Sequence, residues 1–230
     1  MLAGALVHRL LASRRQTVTC AARSRLPLVA AQVDHPPNVL LVLLDDAGAG
    51  DAGFLGHPLL RTPHMDDFFR SAISFSHAYA GAPNCSPSRA SLLTGRMPFR
   101  TGVYDFLSKR SGNMHMAGVE TIASVLRSAG YQTVHLGKWH LSRPGLGIGF
   151  PPSHFGFEHS NDTYAPASQL VSSFTGWLAS GRRERTPFFA YLALWEPHEP
   201  VQLWSPVEYQ RLYAPTEKRR EHDDAFALDS

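Results

Sequence analysis

Cysteine is nearly absent: the 230 residues hold two, Cys20 and Cys85. So few thiols exclude a disulfide framework. Long apolar runs are missing as well, and nothing approaches the roughly 18 consecutive apolar residues of a membrane span. The formal net charge is only +3, with no basic stripe and no interleaved aromatics, which argues against nucleic acid as a partner. Acids are lacking from the start of the chain: Arg9, Arg14, Arg15, Arg23 and Arg25 all precede the first carboxylate, Asp34. A secretory leader carries its charge first and then an apolar core of roughly 7–15 residues. Here Met1–Val7 is apolar, and His8 and Arg9 interrupt it. An organelle transit peptide or a misassigned start codon fits this composition equally. Residues 1–33 are therefore set aside as a presequence or disordered extension. Residues 34–230 are read as the folded domain, long enough for one good core.

What is present is the profile of a globular protein, 43% hydrophobic and 18% charged. Three apolar runs end in polar groups. Asn38–Leu44 is continuously apolar, which predicts a central parallel strand buried on both faces. Asp45 and Asp46 follow it. In open α/β sheets, ligands sit outside the carboxyl ends of strands, so a carboxylate pair there suggests a hard metal ion. Neighbouring strand residues point to opposite faces, and Gly48 and Gly50 are expected to let the chain turn so that both acids reach one ion. As a bare pair they read equally well as a solvated turn. The second run, Tyr131–Leu136, leads into Gly137-Lys138-Trp139-His140-Leu141. In extended backbone Lys138 and His140 point the same way, a pairing suited to binding an anion and moving a proton. The third run, Pro187–Trp195, leads into Glu196-Pro197-His198.

Between these runs lie the expected helices. Thr62 caps a helix that opens at Pro63, with Met65, Phe68, Phe69 and Ala72 as its apolar stripe. Ser74–Tyr79 alternates like a short strand, and His64 and His77 read as structural. Val119, Ile122, Val125, Leu126 and Ala129 line one face of a helix ending at Gly130. Leu170, Val171, Phe174, Trp177 and Leu178 do the same for Ser168–Ser180. Ser108–Gly118 is polar and loop-like and contains His115. Asn161-Asp162-Thr163 fits a glycosylation sequon, a triplet common by chance. Ala225–Leu228 looks like the start of a further helix.

Cys85 begins the stretch on which the rest depends. Pro87 suits a first helical turn, Ser88–Leu93 reads as helix, and Gly95 stops it. Cys85 then sits at a helix N-terminus, where unpaired N–H groups favour an anion, and Arg89 lies one turn along the same face. A lone cysteine is more often a small buried hydrophobe.

The full string, Cys85-x-Pro87-x-Arg89 followed by Ala90-Ser-Leu-Leu-Thr-Gly95-Arg96, resembles the signature of the type I sulfatases. Gly137-Lys138-Trp139-His140-Leu141 is similar to that family's second signature. Thr62-Pro63-His64-Met65-Asp66 and Phe155-Gly156-Phe157-Glu158 also resemble family segments. The likeness covers about Pro37 to Leu228, roughly the first half of a full sulfatase. It implies an α/β, alkaline-phosphatase-like fold: a mixed, mostly parallel sheet with helices on both faces, its C-terminal part missing, so that 34–230 is an incomplete N-terminal catalytic domain.

The resemblance further implies that a formylglycine-generating enzyme converts Cys85 to Cα-formylglycine, whose hydrate attacks sulfate. It makes Arg89 and Lys138 charge-neutralising groups, His140 the base assisting the hydrate, and His198 the proton donor to the leaving oxygen. Lys138 and His198 also contact substrate, with His115 as a further contact at the pocket mouth. Asp45, Asp46 and residue 85 are the implied ligands of Ca2+, with Mg2+ as an alternative. A thiolate is a soft ligand, poorly matched to such hard cations, whereas an aldehyde hydrate offers oxygen. The Ser-Asp-Asn-Gly segment that supplies the family's remaining ligands, and its second active-site lysine, do not occur. Sulfated sugars such as N-acetylgalactosamine 6-sulfate, or aryl sulfates, are the implied substrates. A secretory or lysosome-like compartment is the one the family favours. A phosphoester or phosphonate hydrolase of the same superfamily is the enzymatic alternative. An inactive fragment that only binds a sulfated glycan or the maturation machinery is the non-enzymatic one.

Overall fold

The computed structural model describes residues 36–107, 116, 118–143 and 148–198. Residues 1–33, expected to be a presequence or disordered extension, His115 and the helix expected at Ala225–Leu228 lie outside the described residues.

Four strands form one parallel sheet: β1 (Val39–Asp45), β2 (Gln132–Gly137), β5 (His159–Asn161) and β6 (Phe188–Pro197), in the order β1-β6-β2-β5. A short antiparallel pair, β3 (Ser142–Arg143) with β4 (Ile148–Gly149), stands apart. The helices are α1 (Pro63–Ser71), α2 (Cys85–Thr94), the single turn α3 (Pro98–Thr101), α4 (Ile122–Ser128) and α5 (Ala167–Gly176). A π-helical turn, Trp177–Gly181, continues α5.

The centre of the sheet is β6, the last of these strands in sequence, paired with β1 on one side and β2 on the other. Its period-2 pattern divides it between two cores. Phe189, Tyr191 and Ala193 face a cluster with Ala90 and Leu93 of α2 and Ala123 of α4. Phe188, Ala190 and Leu192 face Leu170 and Phe174 of α5. Helices therefore cover both faces, as a doubly wound α/β sheet requires.

The expectation for β1 fails in one respect. It is parallel, but it is an edge strand of the sheet among those described, and only Val39, Leu41 and Leu43 pack on a core. Leu40 and Val42 on the other face are 49% and 50% exposed. A continuous apolar run reports that both faces are suited to burial; it does not say that a neighbour covers them. The same limit explains α1, whose stripe is not buried: Phe68 is 74% exposed, and only Phe69 finds a ring partner, Phe54, at 4.4 Å.

Thr62 makes no side-chain cap. It instead donates to Asp66 Oδ1 at 2.6 Å and accepts the N–H of Gly53 at 2.9 Å, tying the turn at 53–55 to α1. Ser74–Tyr79 is not a strand, and Phe75 and Tyr79 are exposed. On α4 the inward residues are Ala123 and Leu126, while Ile122 and Val125 face out. There a Thr121–Ser124 capping box sets the start of the helix and hence its rotation.

Candidate active site

The three strand ends that the sequence singled out are neighbours in the sheet, β1, β6 and β2, and α2 begins beside them. Cys85 is the first residue of α2 and is half-buried; Gly95 closes the helix in left-handed geometry, φ 64°. Asn84, just ahead of Cys85, is held by its amide to Asp105 Oδ1 at 2.6 Å rather than capping the helix. Ser86 Oγ donates to the carbonyl of His140 at 2.8 Å and accepts the N–H of Leu107 at 3.2 Å. The helix start is thereby pinned to the turn after β2.

Arg89, one turn further on and fully buried, is the hub. Its guanidinium donates to Asp45 Oδ1 at 3.0 Å, to the Lys138 carbonyl at 2.8 Å and to the Tyr191 hydroxyl at 3.2 Å. One side chain thus binds the ends of β1 and β2 and the middle of β6. Lys138 Nζ forms an ion pair with the other oxygen of Asp45 and lies 4.7 Å from the Trp195 ring centre. A single buried carboxylate is shared by two buried cations, the arrangement in which burial of charge is tolerated. Burial pushes the Tyr191 hydroxyl up from its ordinary pKa, and Arg89 beside it pulls the other way.

Asp46 turns away from Asp45. Its φ of 63° takes the chain out of strand geometry, and β1 and β6 change register between Leu43 and Asp45. The turn was expected at Gly48 and Gly50, yet neither has positive φ. Aspartate is one of the few residues that tolerates the left-handed region. Asp46 is exposed and approaches His198 Nε2 at 3.6 Å. Asp51 accepts the N–H of Gly48 at 2.6 Å and closes the loop.

After β2 the chain does not stay extended either. His140 has φ 53°, so Lys138 and His140 reach the same cavity through a turn rather than by strand alternation. Gly137, φ 96°, lets that turn lie against β6. A side chain there would start 2.1 Å from the carbonyl oxygen of Ala193, which already accepts the N–H of Lys138 at 2.9 Å.

Two cavities adjoin at this centre. One, about 280 Å3, is lined by Asp45, Asp46, Asn84, Cys85, Ser88 and Arg89 among others. The other, about 370 Å3, is lined by Lys138, His140, Ser142, Asp162, Trp195 and His198. The Asp45–Lys138 and Asp46–His198 pairs stand between them. The structure therefore gathers Cys85, Arg89, Asp45, Asp46, Lys138, His140 and His198 in one region. Tyr191, Ser86 and Asp162 join them without having been singled out. Tyr191 is hidden inside an apolar strand, where its hydroxyl gives no pattern. Ser86 lies within the cysteine string, where a serine spaced to bond back across the turn is the only signal.

A hard cation requires oxygen donors that are free to turn towards it. Among the described residues no group of three or more Asp, Glu, His or Cys side chains is placed to hold a metal ion. Both oxygens of Asp45 are taken by Arg89 and Lys138. Calcium takes 6–8 oxygens, so the described donors do not make a calcium site.

A parallel α/β sheet with its polar groups gathered at the carboxyl ends around a helix N-terminus defines the class, and comparison with known proteins gives the family. The family model described as Sulfatase matches residues 37–227. Arylsulfatase A of Homo sapiens is 42% identical over 141 residues, which are 60% of this chain and 27% of that protein. N-acetylgalactosamine-6-sulfatase of Rattus norvegicus is 38% identical over 236 aligned positions, covering 83% of this chain and 45% of that one. Among solved structures, Ps i-CgsB in complex with k-i-k-neocarrahexaose superposes with a TM-score of 0.60 at 27% identity, covering 80% of this chain and 50% of that chain. The chain belongs to the sulfatase family, with the alkaline-phosphatase-like fold. It spans 27% to 45% of the length of the two curated relatives just named. Among the described residues no helix is long and apolar enough to cross a membrane.

Proposed function

We propose that this chain hydrolyses sulfate esters, those of sulfated sugars in particular, with residue 85 as the reacting group. The observation that carries the reading is the Arg89 hub, which ties the helix begun by Cys85 to Asp45 at 3.0 Å and to the Lys138 carbonyl at 2.8 Å. Conversion of Cys85 to formylglycine by the family's maturation enzyme replaces a thiol by an aldehyde hydrate. Its oxygen attacks sulfur at the helix N-terminus, where N–H groups favour negative charge. Arg89 and Lys138 offset the charge that builds on the transferring group. His198, whose Nε2 lies 3.6 Å from Asp46 Oδ2, donates the proton to the departing alcohol. A sulfate half-ester remains on residue 85, and His140, on the same cavity as Lys138, serves as the base when sulfate is expelled and the aldehyde returns. Ca2+ or Mg2+ is the cofactor implied by the likeness, but Asp45, Asp46 and residue 85 fall short of its coordination, and no step is assigned to it.

The names of the matched relatives support sulfate over phosphate, and N-acetylgalactosamine-6-sulfatase supports a sugar. Matched p-nitrophenyl sulfate and p-nitrophenyl phosphate test the reading: sulfate turnover that is lost in Cys85→Ala is expected, and phosphate turnover alone would refute it. The incomplete donor set favours one other reading, a chain that binds sulfated sugars without turning them over. Saturable binding with no product release would identify it.

A further inference from the structure

Asp162 lies outside the machinery described so far, yet it lines the same cavity as Lys138, His140, Trp195 and His198. It follows the last residue of β5, the strand beside β2. Its Oδ1 accepts the N–H of Trp139 at 3.1 Å, the residue between Lys138 and His140. Among the described residues no donor is bonded to its second oxygen, Oδ2. A carboxylate beside a sulfate-binding lysine is unfavourable to the sulfate itself, because like charges repel. It is useful to a ligand that brings a hydrogen-bond donor next to its sulfate. The same cavity is lined by Trp195, whose indole N–H is fixed on the Thr163 carbonyl at 2.8 Å and whose ring packs edge-on against Tyr164 at 4.5 Å. A rigid aromatic ring and an acceptor lining one cavity suit a sugar, which has an apolar C–H face and hydroxyl donors at its edge. An unsubstituted aryl group has no such donor.

We propose that Asp162 is a specificity-determining residue that accepts a hydroxyl of the sugar carrying the sulfate, so that the cavity of Lys138 and His198 selects sulfated sugars over simple sulfate esters. The inference rests on the sulfate-ester reading above. Oδ1 holds the Lys138–His140 turn in place, and the remaining oxygen reads the leaving group.

Binding of two probes to the full 230-residue chain tests this without requiring turnover. The probes are N-acetylgalactosamine 6-sulfate and methyl sulfate, titrated calorimetrically. Asp162→Asn keeps an oxygen for the Trp139 N–H and replaces the second one by a donor; Asp162→Ala removes both. Asp162→Asn is expected to weaken the sugar sulfate by roughly tenfold or more, the scale of a hydrogen bond to a charged acceptor. Methyl sulfate is expected to bind it as well as or better than the parent, because a negative charge has gone. That opposite response is one that a merely structural role does not produce. Equal weakening of both probes by Asp162→Asn would overturn the proposal and leave Asp162 a brace for the turn. An undiminished affinity for the sugar sulfate would overturn it as well. Lys138→Ala separates the two levels of argument: it should lose both probes if the sulfate reading holds. A parent chain that binds neither probe would overturn that reading and this inference with it, whereas failure of Asp162→Asn alone overturns only the inference.

Discussion

Arg89 shows how one side chain can organise a site. It is buried with three partners, and Asp45 depends on it for one of its two counter-charges. Removing one partner of a buried charge pair leaves the other uncompensated, which costs roughly 3–5 kcal/mol. Arg89→Ala is therefore expected to lower unfolding stability by that order in denaturant titration, and Arg89→Lys to recover only part of it, since one ammonium cannot span three acceptors.

His135 makes a second residue-scale case. It is fully buried among Trp139, Phe157 and Tyr191, and neither ring nitrogen has a hydrogen-bond partner among the described residues. Burial lowers its pKa from 6.5 to about 3, helped by the charge of Arg89, while the nearby Lys138 backbone pulls the other way without a bond of normal geometry. The folded value lies below the unfolded one, so between them only the unfolded chain takes up the proton. The stability this ring contributes is complete above pH 6.5 and is lost as pH falls towards 3. At pH 5 the loss is about 2 kcal/mol. His135→Leu should flatten the acid limb of a stability-against-pH curve over that window; an unchanged limb would refute the assignment. Cys85, Arg89, Lys138 and His140 stand out in the sequence because their spacing is local. Tyr191 and His135 stayed hidden because each stands alone in a strand, and only the pairing of β6 with β2 shows what it faces.

At the scale of elements, the three polar-ended strands were legible and their surroundings were not, while Ser74–Tyr79, which alternates like a strand, forms none. All three polar-ended runs became strands, because an apolar run bounded by turn residues is a local signal. Which faces are covered depends on neighbours far away in sequence, and so β1, α1 and α4 departed from their expected burial. The exposures set a ranking that can be measured. Phe68→Ser on α1 should change stability by less than about 0.5 kcal/mol, as for other surface positions. Phe189→Ala, in the fully buried middle of β6, should cost roughly 3–5 kcal/mol. A large loss at Phe68 would mean that its face is covered in solution. Gly137→Ala tests the turn that presents Lys138. A positive φ and a backbone oxygen 2.1 Å from the new carbon leave no room for relaxation. The variant is expected to lose more than about 2 kcal/mol together with sulfate binding.

For the whole molecule, the fold class expected from the sequence and the family it resembled both agree with the comparisons. The family was readable because one signature opens α2 and the other follows β2, and the fold brings the two together. The metal was not settled in the same way. Two adjacent aspartates suggest a cation in sequence, but in space one is claimed by Arg89 and Lys138 and the other turns towards His198. Titration of this chain with Ca2+ is accordingly expected to show no saturable binding tighter than roughly millimolar, the weak end of calcium sites. Submillimolar binding would show that the carboxylates rearrange around the ion.

The most direct measurement is the mass of the tryptic peptide containing residue 85, from chain produced together with a formylglycine-generating enzyme. The account predicts a species lighter by the difference between a CH2SH and a CHO group, absent from Cys85→Ala. An intact thiol, under conditions in which a control sulfatase peptide is converted, would contradict it.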